Sequence, residues 1–287
     1  MKIIVTGGNG QLGTELKIIS AKAPRHEFLF TDIEDMDITN PDSIEKSFRN
    51  FSPDYIINCA GYTAVDKAEE EPDKAFLINR DAVKKLSEAS KKYNARLIHI
   101  STDYIFDGKT NQPYSEDQQP HPLSVYGQSK WEGEQEVDIT ANGAVVRTSW
   151  LYSSFGQNFV KTIIRLAEQR DELKIVADQT GTPTYAGDLA EMLIHLLQHF
   201  RPGIFHYSNE GVATWYDFAH EIISLADLQC KIVPISTKEY PLPAPRPHYS
   251  VMDKKKVKDY FGLPIPYWRD SLQLCMSLLK KTQDQDK

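Results

Sequence analysis

The 287-residue sequence is short of the features that mark several large protein classes. Its three cysteines, Cys59, Cys230 and Cys275, are odd in number and far apart, with neither zinc-ligand nor redox-pair spacing. A disulfide framework is therefore excluded, and the three are expected to be reduced and buried. No apolar run approaches the roughly 20 residues of a membrane span. No basic region and apolar stretch precede the first strand, so a cytoplasmic protein is expected. Positive charge is scarce as well. A formal net charge of −7 leaves no basic stripe for nucleic acid, so an anionic ligand has to be met by local cations. Internal repeats and low-complexity tracts are lacking. No histidine pair has metal spacing, and neither Ser101 nor Ser149 sits in a glycine elbow, so hydrolysis finds no support. His99, between Ile98 and Ile100, reads as a satisfied strand residue.

What remains has the make-up of an ordinary globular protein, with 40% hydrophobic and 25% charged residues and length for a substantial core. From Lys2 to about Thr148, strand and helix patterns alternate, which favours a parallel sheet wrapped on both faces. Strands are expected at Lys2 to Thr6, Phe28 to Phe30, Tyr55 to Asn58, Arg96 to Ser101 and Gly143 to Thr148. Helices are expected at Gln11 to Ser20, from Asn40-Pro41 to Phe51, over a long stretch from Pro72 to Tyr93, and around Tyr126 and Lys130. Beyond Trp150 regularity weakens, with helices expected at 158–168, 187–198, 214–226 and 270–280 and short strands between them. The proline-dense run Pro241 to Pro247 reads as a fixed extended loop bordering a ligand. The polar end from Thr282 to Lys287 is expected to fray.

Two features carry chemistry. The first is the turn Gly7-Gly8-Asn9-Gly10-Gln11-Leu12-Gly13, readable from Gly8 as G-x-G-x-x-G, lying between a strand and a helix. Glycine is needed there because a Cβ would block backbone amides from a pyrophosphate, and the helix N-terminus attracts its charge. Asp32, about 20 residues on, is placed to accept from a ribose hydroxyl and to repel a 2′-phosphate, which points toward NADH. A solvated turn carboxylate is the other reading of Asp32.

The second feature is Tyr126 with Lys130 four residues later, a pairing that no other tyrosine of this chain has. Residues at i and i+4 share a helix face, so an ammonium beside the phenol would favour its ionised form. Thr102, ending its strand where ligands bind in open α/β sheets, offers a hydroxyl to a carbonyl oxygen. Tyr126 would supply the proton, and Lys130 would bridge phenol and nicotinamide ribose. Singly, each has a common structural role; after a dinucleotide turn, the three together read as a catalytic set.

Five segments resemble the extended short-chain dehydrogenases, and within them the dTDP-4-dehydrorhamnose reductase family. They are Thr6 to Gly13, Tyr62 to Glu69, Ser101 to Gly108, Tyr126-Gly127 with Lys130, and Arg147-Thr148-Ser149-Trp150. The resemblance runs almost end to end. It implies an α/β fold: a Rossmann-type doubly wound parallel sheet over residues 1–150, with a returning segment near 177–200. A smaller C-terminal α+β substrate domain would span 151–176 and 201–287. It implies Thr102, Tyr126 and Lys130 as catalytic residues. Gly7, Gly10, Gln11, Leu12, Asp37, Ile38, Ala60, Gly61 and Tyr62 would join Asp32 and Lys130 around NADPH or NADH. Thr63, Val65, Tyr104 and Trp150 would face the sugar beside Thr102 and Tyr126, although a core role is the commoner fate of a tryptophan.

A similar Arg-Pro element in the family, together with the rigid loop, makes Arg246 a candidate for the substrate diphosphate; a plain surface charge is the alternative. Some members hold Mg2+ at a homodimer contact, and Glu15, Asp188 and Glu191 match those positions. Acids opening a helix near Gly187 also simply complement its dipole. The implied reaction is reduction of the 4-keto group of dTDP-4-dehydro-6-deoxy-L-mannose to dTDP-L-rhamnose, for polysaccharide. Two rivals resemble the chain too. One is a nucleotide-sugar epimerase or dehydratase, disfavoured because Tyr104 stands where a dehydratase would have glutamate. The other is a non-catalytic subunit like the regulatory subunit of methionine adenosyltransferase, disfavoured by the retained Thr102, Tyr126 and Lys130.

Overall fold

The computed structural model describes residues 1–21 and 25–285. The first half alternates as expected: β1 (Lys2–Thr6), α1 (Gln11–Ser20), β2 (Glu27–Thr31), α2 (Pro41–Phe51), β3 (Tyr55–Asn58), α3 (Val65–Glu70), α4 (Pro72–Phe76), α5 (Ala82–Lys92), β4 (Arg96–Thr102), α6 (Val125–Gln135) and β5 (Gly143–Thr148). The second half adds β6 (Leu151–Tyr152), α7 (Phe159–Ala167), β7 (Glu172–Val176), β8 (Thr180–Gly181), β9 (Thr184–Tyr185), α8 (Ala186–Gln198), β10 (Gly203–His206), β11 (Ala213–Thr214), α9 (Trp215–Ala226), β12 (Lys231–Ile235), α10 (Lys255–Phe261) and α11 (Trp268–Gln285).

Among the described residues the main sheet has the order β10-β5-β4-β3-β1-β2, and its pairings are parallel. Its inner strands are buried on both faces, so they read as runs of Ile and Val rather than as an alternation. One face packs on α1 and α8 through Leu12, Leu16, Leu189, Leu193 and Leu197; the other packs on α2 and α5 through Ile44, Phe48, Val83 and Leu86. A separate core under α7, α9 and α11, built on Phe218, Ile222, Trp268 and Leu272, holds the smaller unit together.

Three details depart from expectation. The stretch from Pro72 to Tyr93 is not one α-helix, because Leu77–Asp81 winds as a π-helix between α4 and α5. The domain boundary at 200 cuts too early, because β10 pairs with β5 and so belongs to the first unit's sheet. The helix α10, whose Val257 is buried in the first unit's core, has no strong signal in the sequence. At the polar end, α11 continues to Gln285, while Asp286 and Lys287 lie outside the described residues. Among the described residues no helix is long and apolar enough to cross a membrane.

Candidate active site

The carboxyl ends of β1, β3, β4 and β5 open into a cavity of about 700 Å³. At its floor lies the glycine turn. Gly7 takes φ +63, a conformation that L side chains rarely adopt, and a Cβ on Gly13 would lie 2.3 Å from the Gly7 carbonyl oxygen. Gly10 is the N-cap of α1 without a side-chain cap, and Gln11, Leu12 and Gly13 line the cavity. That arrangement suits a pyrophosphate against the helix N-terminus. Asp32 lines the far end and does structural work too, since its carboxylate accepts from the backbone N–H of Asn9 at 3.1 Å and of Ile33 at 2.9 Å. Asp37 and Ile38 line the same end, and Ala60 and Gly61 the middle. These residues fit a dinucleotide.

Tyr126 and Lys130 reach the cavity because α6 is pinned at several points. Ser124 caps it by accepting from Gly127 N–H at 3.1 Å, and Glu69 accepts from Val125 N–H at 2.8 Å. Ser129 donates to the Tyr126 carbonyl and accepts from the Asn79 amide at 2.9 Å. Gly133 lets the π-helical segment press close, since a Cβ there would sit 1.9 Å from the Asn79 carbonyl oxygen. Thr102 ends β4 opposite, close enough to the Tyr126 phenol to lower its pKa. Its hydroxyl donates to Asp103 at 3.2 Å and accepts from Tyr104 N–H at 3.3 Å. The Tyr104 ring meets Tyr126 edge-on at 5.6 Å.

The electrostatics differ from the expectation drawn from the i, i+4 spacing. Burial pushes the Tyr126 phenol up to about 12; the Thr102 hydroxyl pulls it down and Asp103 pushes it further up. The Lys130 head turns to β4 instead, donating to the Ile100 carbonyl at 2.6 Å and lying 3.4 Å from His99 Nε2. Burial lowers Lys130 to about 8, with Glu134 and Cys59 acting in the opposite sense. The pocket therefore holds a protonated phenol, the form a proton donor needs.

Thr63, Val65, Tyr104 and Trp150 line the cavity. Trp150 adopts φ +47 and stacks on Trp215 at 3.6 Å with the rings 8° apart, so one face is taken by another indole. Other residues stand elsewhere. Tyr62 does not line the cavity; its ring packs with Ala68, Ala75 and Tyr126, and its hydroxyl donates to Glu71. Arg246 lies behind the wall, gripped by Asp66 through two 2.6 Å bonds. The three acids expected to hold Mg2+ do not form a metal set. Glu15 is buried and accepts from Ser153, Asp188 accepts from Asn209 and Ser271, and Glu191 lines a separate cavity with Asp188. Among the described residues of one chain no group of three or more His, Cys, Asp or Glu side chains could hold a metal ion, so magnesium finds no support.

Sequence reasoning passed over Thr6, Thr148, Asn158, Phe159 and Trp215, which also line the cavity. The last three come from the smaller unit. Only the capping box Thr214 to Asp217 signals where Trp215 stands, at the start of α9.

The whole chain, site included, has counterparts among known proteins. The RmlD substrate binding domain model matches residues 1–281. The chain belongs to the dTDP-4-dehydrorhamnose reductase family. It is 41% identical to a dTDP-4-dehydrorhamnose reductase of Sinorhizobium fredii, over 99% of this chain and 100% of that one. A crystal structure of a dTDP-4-dehydrorhamnose reductase from Clostridium acetobutylicum superposes with a TM-score of 0.94 at 42% identity, covering 98% of this chain and 100% of that one. Another, from Bacillus anthracis in complex with NADP, gives 0.93 at 38% identity, over 96% and 99% of the two chains. Membership in the reductase family sets the enzyme class and agrees with a cavity whose glycine turn suits a nicotinamide dinucleotide.

Proposed function

We propose that this chain reduces the 4-keto group of dTDP-4-dehydro-6-deoxy-L-mannose to dTDP-L-rhamnose, supplying rhamnose for polysaccharide. The observation that carries the reading is one cavity bounded by the glycine turn at one end and by Thr102, Tyr126 and Lys130 at its centre. A bound reduced nicotinamide supplies the hydride. Tyr126 holds the proton at its hydroxyl and delivers it to the sugar O4 as charge develops there. Thr102 donates to the same oxygen, and Lys130 holds the nicotinamide ribose and, once turned toward the phenol, steadies the phenolate left behind. Trp150, backed by Trp215, walls the sugar side with an apolar plane. Arg246, held by Asp66, fixes the proline loop over the substrate instead of pairing with its diphosphate.

The cofactor preferred is NADH. Lys130 is the one cation among the described residues lining the cavity, so a 2′-phosphate would meet Asp32 without a counter-charge.

The test is the purified chain with the dTDP-4-keto sugar and each reduced cofactor. One reduced nicotinamide should be consumed per rhamnosyl product, with a higher kcat/KM for NADH, and Tyr126→Phe should lose roughly 10²–10⁴-fold in kcat. Turnover of the sugar without net cofactor consumption would instead indicate an epimerase.

A further inference from the structure

Behind the cavity, three buried polar side chains stand in register across three parallel strands. Thr6 of β1 pairs with Asn58 of β3, and Asn58 pairs with His99 of β4. They are 1%, 0% and 0% exposed. A polar row inside a parallel sheet is costly unless every member is satisfied. Here the bonds run on as a chain. Ala60 N–H donates to Thr6 Oγ1 at 3.4 Å, Thr6 donates to Asn58 Oδ1 at 2.6 Å, and Asn58 Nδ2 lies 3.0 Å from His99 Nδ1. His99 Nε2 then faces Lys130 Nζ at 3.4 Å. Thr6 and Lys130 both line the cavity, so the row joins the nucleotide turn to the lysine from behind.

Burial and the nearby Lys130 charge hold the His99 pKa well below its ordinary value, so the ring is neutral and carries one proton. With the Asn58 amide nitrogen toward Nδ1, that proton is on Nε2, and Nε2–H can bond Lys130 only if the lysine is an unprotonated amine. An ammonium requires the opposite setting. Nε2 then accepts from Lys130, Nδ1–H donates to a turned Asn58 carbonyl oxygen, and the Thr6 hydroxyl is released from donating to Asn58.

We propose that His99 is a positioning residue for Lys130, and that the row Thr6, Asn58, His99 has two hydrogen-bond settings, one for the amine and one for the ammonium. The proposal rests on the reading of Lys130 as part of the catalytic set. The other titratable groups around the lysine are Cys59 after β3, and Glu134 and Tyr126 on its own helix.

Two measurements on the full chain test it. Nitrogen-15 NMR of His99 between about pH 6.5 and 9.5 should show its proton passing from Nδ1 to Nε2 as Lys130 deprotonates, and no such exchange in Lys130→Met. One tautomer at every pH overturns the two settings. In kinetics, His99→Phe should lower kcat about 10²-fold with the sugar KM near that of the parent. The alkaline fall of its kcat profile should move to lower pH, because the ammonium has lost an acceptor. Asn58→Leu should give the same loss, and the double variant no further loss; additive losses or an unmoved alkaline limb overturn the positioning role. His99→Gln, which can still accept from Lys130, should recover part of kcat, and failure to do so also counts against it. A wild-type chain without reductase activity would refute the functional reading, yet the NMR titration would still decide the row.

Discussion

Asp103 shows how the site uses burial at the scale of one residue. It is 1% exposed, its Oδ1 accepts from Thr102, and its Oδ2 has no hydrogen-bond partner. Burial pushes its carboxyl up to about 7 from an ordinary 3.8, while Ser250 and Thr102 pull in the other direction. The folded chain thus holds this proton more tightly than the unfolded chain does. Stability contributed by the protonated form is lost as pH rises from about 4 through about 7. Asp103→Asn removes that titration, so its Tm relative to the parent should be higher at pH 8 than at pH 5, as calorimetry would show. An equal difference at both pH values would mean that the carboxyl is not held protonated. The same burial keeps Tyr126 protonated. The lysine spacing in the sequence was a good guide to which residues share the cavity, but a poor guide to which of them interact, because His99 and the Ile100 carbonyl compete for the Lys130 head.

At the scale of elements, the site depends on α6 lying close against the π-helical turn. The Asn79 side chain in that turn bonds Tyr62 N–H and carbonyl as well as Ser129, tying the turn to the segment after β3. Gly133→Ala would drive a methyl into the Asn79 carbonyl, which is backbone and cannot rotate away. Overpacking of this kind costs about 1–3 kcal/mol. The variant should show a lower Tm in calorimetry and a reduced kcat, since α6 carries Tyr126 and Lys130; an unchanged kcat would separate helix seating from catalysis. Regular strands and amphipathic helices were legible because their periodicity is local: β1, α1, β3, β4 and β5 lie where apolar runs and the glycine turn put them. The π-helical turn was not, because Leu77 to Asp81 carries no Gly or Pro to interrupt a helix pattern, and its contact with α6 through Asn79 joins residues about 50 positions apart. Trp215 escaped for a related reason, since its place in the wall comes from stacking on Trp150, 65 positions earlier in the sequence.

At the scale of the molecule, the two units meet at Arg246 and Asp66. The guanidinium, 13% exposed at its side chain, binds both carboxylate oxygens of Asp66 and the Ala244 carbonyl, while Ala244 N–H also donates to Asp66. The Asp66 carboxyl is held below its usual range chiefly by that arginine bond. A double-mutant cycle with Arg246→Ala and Asp66→Ala should give a coupling of about 1 kcal/mol in kcat/KM for the nucleotide sugar, kept modest by solvent around the half-exposed carboxylate. A coupling near zero, with Arg246→Ala alone raising KM, would restore the arginine as a direct diphosphate ligand.

The edge strand β10 has a consequence for biogenesis. During synthesis, β5 emerges from the ribosome some 55 residues ahead of its outer neighbour, and α8, which covers one face of the sheet, comes between them. Until His206 is made, the nascent chain carries an open row of backbone donors and acceptors along Gly143 to Thr148. A fragment ended near residue 150 would keep that bare margin permanently and would be prone to self-association.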